Sequence, residues 1–597
     1  MLVIEKLIKA IRAAGDYNQE VQVAPACILW PDYERQWELA VPKLQRDMPE
    51  LLVFGAYNPE WRTGPAIWLK CAITGKVAEV TTPDSYIPVI YLPGISRHNL
   101  RAVETSPDEI MPLVELQYRG AIWSQVNTKD WTVLAFLKSQ HGGLGYDVAQ
   151  DKETITAMIQ AVECLLEEDD TRLNNRRLDK EFFLSLLTPD LTKRILLWLD
   201  QGEVYRKKLS ENEWKAFVAL AVSNLEINPN HDSTITGAEK LAAHEGPWAA
   251  IWERYCEAPS LYPNIPGLIR RTEPPSGLFI NRSGWPQWNE EEENNLRRSL
   301  LRLNECNAEE ARERLLKFEE QHGIRREYVW AKLGEAPLAK AVFWLAKLAE
   351  STKMSLGGGN IDEFVSKYTT NGWLADDAML QALACVEDNS DIEAVTSGIR
   401  SVYLTWLNDS TEYIQNIIRR DGYPVDTSAH QTKYNENECL VFVDGLRFDL
   451  AKKLVEGFIQ KGYRISEKVV WSALPSVTQT GKPWVSPVRS QMAGSLEHID
   501  FEPSIVGTNQ PLNNQRFEKL LMDAGWAILK GNQVGNGQGK AWCEYGNIDH
   551  LGHRVGGKLA RELEKELRDI EERVMQLLSA GWNRIKIITD HGWLLMP

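Results

Sequence analysis

Two short segments in the last third of the chain, the continuous apolar run "CLVFV" at 439–443 and the Ile-rich "IKIIT" at 585–589, both read as buried strands, leave few folds open. An uninterrupted apolar run reads as a strand buried on both faces. Between the two lie an amphipathic helical segment, "FDLAKKLVEGFIQKG", which ends at Gly462, and a long helical one, "KLARELEKELRDIEERVMQLLSAG". "ISEKVVW" at 465–471 reads as a further strand. Strands alternating with helices predict a mostly parallel sheet. In such sheets, ligands gather at the carboxyl ends of the strands.

The 597 residues allow several domains. Residues 1–145 carry "ACILW", "LLVFG" and "IPVIYLPG" amid Pro/Gly punctuation and predict an α/β domain, either a partner-docking domain or a plain structural one. Residues 146–420 read as a helical region. Leu338, Val342, Leu345 and Ala349 repeat at helical spacing, and Asn307 suits the N-cap of a helix with Glu309 and Glu310 in its first turn. The Pro-rich stretch "APSLYPNIPGL" reads as a loop. The polar, turn-rich segment 421–438 marks a boundary, so a third domain spans 438–597.

Bulk composition excludes some classes. No run approaches the roughly 20 apolar residues of a membrane span. The charged N-terminal stretch "MLVIEKLIKAIRAAG" reads as an amphipathic helix and not a signal peptide. Eight scattered Cys without a CxxC pair argue against a zinc ribbon or a disulfide framework. A cytoplasmic protein with no membrane contact is expected. The net charge of −16 does not favour a generic polyanion binder. The basic runs around Arg172, Arg176, Arg177 and Lys180, and at Arg206, Lys207 and Lys208, read as solvated helix faces or local contact patches. The 22 Trp are read mainly as core and interface mass.

Four short segments carry chemistry. In "LVFVDGLRFD", Asp444 follows the apolar run, where a carboxylate needs a cation or a helix N-terminus to face. Capping the next helix is the structural alternative. In "ALPSVTQTGKP", Thr478 is either a turn residue or a hydroxyl nucleophile that needs a base or a metal. Lys482 and Arg447 are candidate phosphate contacts or plain surface charges. In "NIDHLGHR", Asp549 and His553 stand four apart, which on a helical turn brings both to one ion. In "IKIITDHGW", Asp590 and His591 follow the second apolar run. Carboxylate and imidazole are ordinary zinc ligands. "GNQVGNGQGKAW" is no phosphate loop, because Val534 and Ala541 break the required spacing.

The order Asp, Thr, Asp-x-x-x-His, Asp-His resembles the alkaline phosphatase and nucleotide pyrophosphatase superfamily. "VFVDGLRFD" and "LPSVTQTGKPWVSP" resemble the PglZ domain of BREX bacteriophage-defence systems. "YNQEVQVAPACILWPD", "WELAVP" and "RTGPAIWLKC" are similar to the N-terminal part of type B PglZ proteins.

The resemblance implies an α/β/α phosphatase-like domain with two divalent metal ions, zinc by preference, about 3.5–4 Å apart. Thr478 would be the nucleophile and pass through a phosphoryl-enzyme. Asp444, Asp590 and His591 would hold one ion, and Asp549 and His553 the other. It further implies a phosphodiesterase, nuclease or phosphatase acting on DNA or nucleotides, with other BREX proteins, the small subunit BrxB among them, bound through the N-terminal domain. The family's last metal-ligand His lies beyond the Asp-His pair, and Pro597 closes the sequence before it. A truncated domain, weakly active or inactive, is therefore expected. The competing expectation is a scaffold subunit whose phosphatase-like domain does no chemistry.

Overall fold

Alternate side chains of the first strand, β1 (Ile28–Asp32), enter two different cores, as a strand covered on both faces requires. The computed structural model describes all residues except 81–82, 84, 102–105, 175, 276–280, 425–433, 495–501 and 596–597. Its contacts divide the chain into two units, Met1–Gly284 and Trp285–Pro597.

In the first unit, β1, β2 (Leu51–Phe54), β3 (Thr63–Gly64), β4 (Val89–Pro93) and β5 (Ala121–Ile122) form a parallel sheet in the order β3-β2-β4-β1-β5. Trp30 and Tyr91 face one core and Leu29 and Leu92 the other. Trp30 meets Trp37, Tyr91 and Trp123 edge-on, with ring centroids 5.8, 5.0 and 5.1 Å apart. The same core continues through Phe183 to Leu220, so the helices after residue 145 complete the sheet's packing. In the basic runs, Arg172 pairs with Glu168 and Lys180 with Glu153, while Arg206 lies over the Trp214 ring.

The second unit opens with helices. Asn307 caps Ala308–His322 by accepting from the Glu310 N–H, as its sequence predicts. Helices α1 (Pro337–Ser351) and α2 (Trp373–Ala384) follow. Then comes β6 (Glu438–Phe442), buried along its whole length. A small antiparallel pair, β7 (Met492–Ala493) and β8 (Ser504–Ile505), precedes β9 (Trp526–Leu529), β10 (Lys540–Glu544) and β11 (Arg584–Ile588). The main sheet is parallel, in the order β11-β6-β10-β9. Cys439 and Val441 face helices α3 (Phe448–Gln460) and α6 (Leu559–Ser579), through Leu454, Phe458, Ile570 and Val574. Leu440 and Phe442 face Val488, Phe517 and Leu521 on the other side. Two shorter helices, α4 (Thr478–Val485) and α5 (Ile548–Val555), stand between in sequence.

Several expectations change. Leu345, Met379 and Leu383 share one core with Val441 and Ile570, so the helices after 285 and the sheet form a single body. The contacts divide the chain after Gly284, and residues 425–433, half of the expected boundary segment 421–438, lie outside the described residues. Residues 465–471 form no strand: Ile465, Val469 and Val470 are exposed and pair with no neighbouring strand. The run at 585–589 is only half-buried, because β11 is the sheet edge. Within the Pro-rich stretch a helix starts at Ile265, with Pro266 in its first turn, where a missing N–H costs nothing. No helix among the described residues is long and apolar enough to cross a membrane.

Candidate metal centre

The carboxyl ends of three adjacent strands deliver the site. Asp444 follows β6, Asp590 follows β11, and Asp549 opens α5 just after β10. Because the strands are parallel and neighbouring, residues far apart in sequence meet at one edge of the sheet. Gly445 turns the chain after β6 with φ +67°, a left-handed conformation that glycine adopts without strain. A Cβ there would stand 3.1 Å from the Asp549 Cβ, so the missing side chain also lets Asp549 close on the loop.

Thr478 reaches the site as the first residue of α4. Its Oγ1 lies 3.2 and 3.4 Å from the two oxygens of Asp444 and 3.1 Å from His591 Nε2. The helix can come this near because residue 481 is glycine: a Cβ there would fall 2.8 Å from the Asp590 Cβ. Ser472 adds a tether by donating to the Asp590 carbonyl at 2.7 Å.

Donor atoms of Asp444, Asp590 and His591 all lie within 4.8 Å of one another. Asp590 Oδ1 accepts from the backbone N–H groups of Gly445 and His591, whereas its Oδ2 is buried without a hydrogen-bond partner. His591 Nδ1 stands 2.9 Å from the Gly592 carbonyl, which fixes the proton on Nδ1 and leaves the Nε2 lone pair turned to the cluster. Burial raises the Asp444 carboxyl above the usual range, and nearby Asp549 adds to the rise. Burial also pushes Asp590 up to about 6, with the neighbouring Asp444 contributing in the same direction. An orphaned carboxylate oxygen, an oriented imidazole and mutual repulsion between acids are what a divalent cation would relieve.

Asp549 and His553 do share a helical turn, with Nε2 and Oδ2 3.4 Å apart. They form a two-ligand pair beside the three-ligand cluster, and His553 stands out in solvent, 82% exposed. The neighbouring His550 is exposed as well.

The two expected phosphate contacts differ. Arg447 is buried and makes a double hydrogen bond to the fully buried Asp449, at 2.7 Å for each contact. It also donates to the Asp376 carbonyl and lies against the Trp593 ring. Its charge is committed to Asp449 at the start of α3. Lys482 stands one helical turn after Thr478, and its charge opposes the rise of the Asp444 carboxyl. It is gripped by Glu544, whose two oxygens lie 2.7 and 2.8 Å away. Sequence reasoning misses Glu544, although its place at the carboxyl end of β10 is the signal that picks out Asp444 and Asp590.

No family model, no curated protein and no solved structure matches this chain.

Proposed function

We propose that the second unit is a divalent-metal-dependent phosphoester hydrolase in which Thr478 is the nucleophile. The observation that carries this reading is the position of Thr478 Oγ1 between Asp444 and His591 Nε2, beside the buried, unpartnered Asp590 oxygen. The PglZ-like motifs around the same residues support it and extend it to a role in phage defence.

Asp444, Asp590 and His591 would hold one ion, and Asp549 with His553 would supply ligands for a second. Such ions lower the pKa of a bound hydroxyl and neutralise phosphoryl oxygens. The chain's own groups do the rest. With His591 Nε2 given to the ion, the second carboxylate oxygen of Asp444 is the group within reach that can take the Thr478 hydroxyl proton and pass it to the leaving oxygen. The deprotonated Oγ1 attacks phosphorus, the ester oxygen leaves as an alcohol, and water then cleaves the phosphothreonine. The first N–H groups of α4 lack helical acceptors and suit a phosphoryl oxygen.

A second reading, the scaffold, draws on Arg447 and Lys482 both being engaged by acids. The deciding experiment loads the purified chain with zinc or manganese and follows release of nitrophenol from bis(p-nitrophenyl) phosphate. EDTA-sensitive turnover that needs Thr478 supports the enzyme. Absence of divalent-ion uptake at micromolar concentration removes it and leaves the scaffold.

A further inference from the structure

Lys482 is placed with unusual care for a lysine near a surface. Its side chain is 13% exposed, and its ammonium lies 5.5 and 5.3 Å from the ring centres of Phe442 and Phe517. Glu544 holds the charged end through both carboxylate oxygens. Glu544 is itself anchored: the indole N–H of the buried Trp542 donates to its Oε1 at 3.0 Å. A pair restrained at both ends loses little entropy on forming, unlike most surface ion pairs. Lys482 lies one turn after the nucleophile, so an anion drawn to Thr478 meets an ammonium that already carries a carboxylate partner.

We propose that Glu544 is a charge-selectivity residue: by sharing the Lys482 ammonium at the rim of the site, it penalises anionic ligands in proportion to their negative charge. Glu544 touches no reacting atom in this scheme. It acts through Lys482, and so is a positioning residue. The proposal rests on the phosphoester reading of the same site. Glu544 side chains are 46% exposed, so removing the charge leaves no buried vacancy. The amide oxygen of Glu544→Gln can still accept from Trp542.

The test is calorimetric titration of the zinc-loaded full chain with inorganic phosphate, a dianion at pH 8, and with monoanionic dimethyl phosphate. Wild type, Glu544→Gln, Lys482→Met and the double variant are compared, with Glu544→Ala as a second way of removing the charge. Partly exposed ion pairs are worth up to about fivefold in an equilibrium constant. Glu544→Gln is expected to tighten inorganic phosphate binding by about that factor and dimethyl phosphate by less. The gain should vanish in the Lys482→Met background, since the effect runs through the ammonium. Unchanged or weaker phosphate binding by both Glu544 variants, with wild type binding normally, overturns this inference alone. Zinc uptake without phosphate binding by any variant overturns both it and the phosphoester reading.

Discussion

The Oγ1 of Thr478 and the Nε2 of His591 lie 3.1 Å apart, although 113 residues separate them in sequence. Thr478 stands at a helix start and His591 just past the edge strand. Replacing Thr478 by Ala removes the attacking oxygen but none of the cluster's three metal-donor side chains. Turnover of bis(p-nitrophenyl) phosphate is expected to fall by at least about a hundredfold, with zinc content unchanged and Thr478→Ser retaining part of the rate. Full activity in Thr478→Ala would point instead to direct attack by water.

Asp590 gives a pH dependence of definite sign. Its folded carboxyl titrates at about 6, above the ordinary carboxylate range, because burial disfavours the charge. The native state therefore binds a proton more tightly than the unfolded chain. Its contribution is most favourable below the ordinary range and is lost as pH rises through 6. Zinc reverses the trend, since it needs the ionised form. Urea unfolding of wild type minus Asp590→Asn, from pH 4.5 to 7.5, should show the metal-free difference move against wild type on the way up. Zinc should stabilise wild type above about pH 6 and protect Asp590→Asn much less, since one of the three clustered ligands is lost. A flat difference curve, or equal zinc protection of both proteins, contradicts this assignment.

Arg447 tests structure against function. Its bidentate partner Asp449 is fully buried, and removing one member of such a pair leaves an uncompensated charge. Arg447→Ala should lose about 3–5 kcal/mol of stability, measured by chemical denaturation, and Arg447→Lys should recover only part of it. A stable Arg447→Ala protein with weakened phosphate binding would restore Arg447 as a ligand contact.

Gly481→Ala tests the approach of the nucleophile helix. The new methyl would meet the Cβ of Asp590 at 2.8 Å and its carbonyl oxygen at 3.0 Å. Neither is the free end of a flexible side chain, so α4 or the Asp590 loop must shift, at roughly 1–3 kcal/mol. The melting temperature should drop and turnover should fall more than in variants of equal stability elsewhere in the unit. Unchanged melting and turnover would show that the two segments are further apart in solution.

What the sequence made legible follows from one geometric rule. Asp444 and Asp590 each follow an apolar run, and a parallel sheet carries such residues to a common edge. Thr478 and Asp549 were readable through their motifs. Arg447 was not, because its fate depends on how deeply Asp449 is buried, and helix packing decides that. Glu544 was hidden because its partner, Lys482, lies 62 residues away. The strand expected at 465–471 failed because Val469 and Val470 satisfy local preference but find no neighbour to pair with. The helices before 421 and the sheet after 438 share one core through Leu345, Met379 and Val441, and the polar stretch between them in sequence carries no sign of that packing. The first sheet was readable from its Pro- and Gly-bounded runs, while its shared core with later helices was not.

The crowding of Asp444, Asp590 and Asp549 at one sheet edge also dictates an order of events. In a chain of net charge −16, that edge attracts cations from solution and turns away free phosphoesters. On the proposed reading, arrival of a cation would convert a repelling surface into a receptive one. For the proposed hydrolase this gives an expected order, metal before ester, and an excess of ester added first should slow metal capture by sequestering the ion rather than by filling the site.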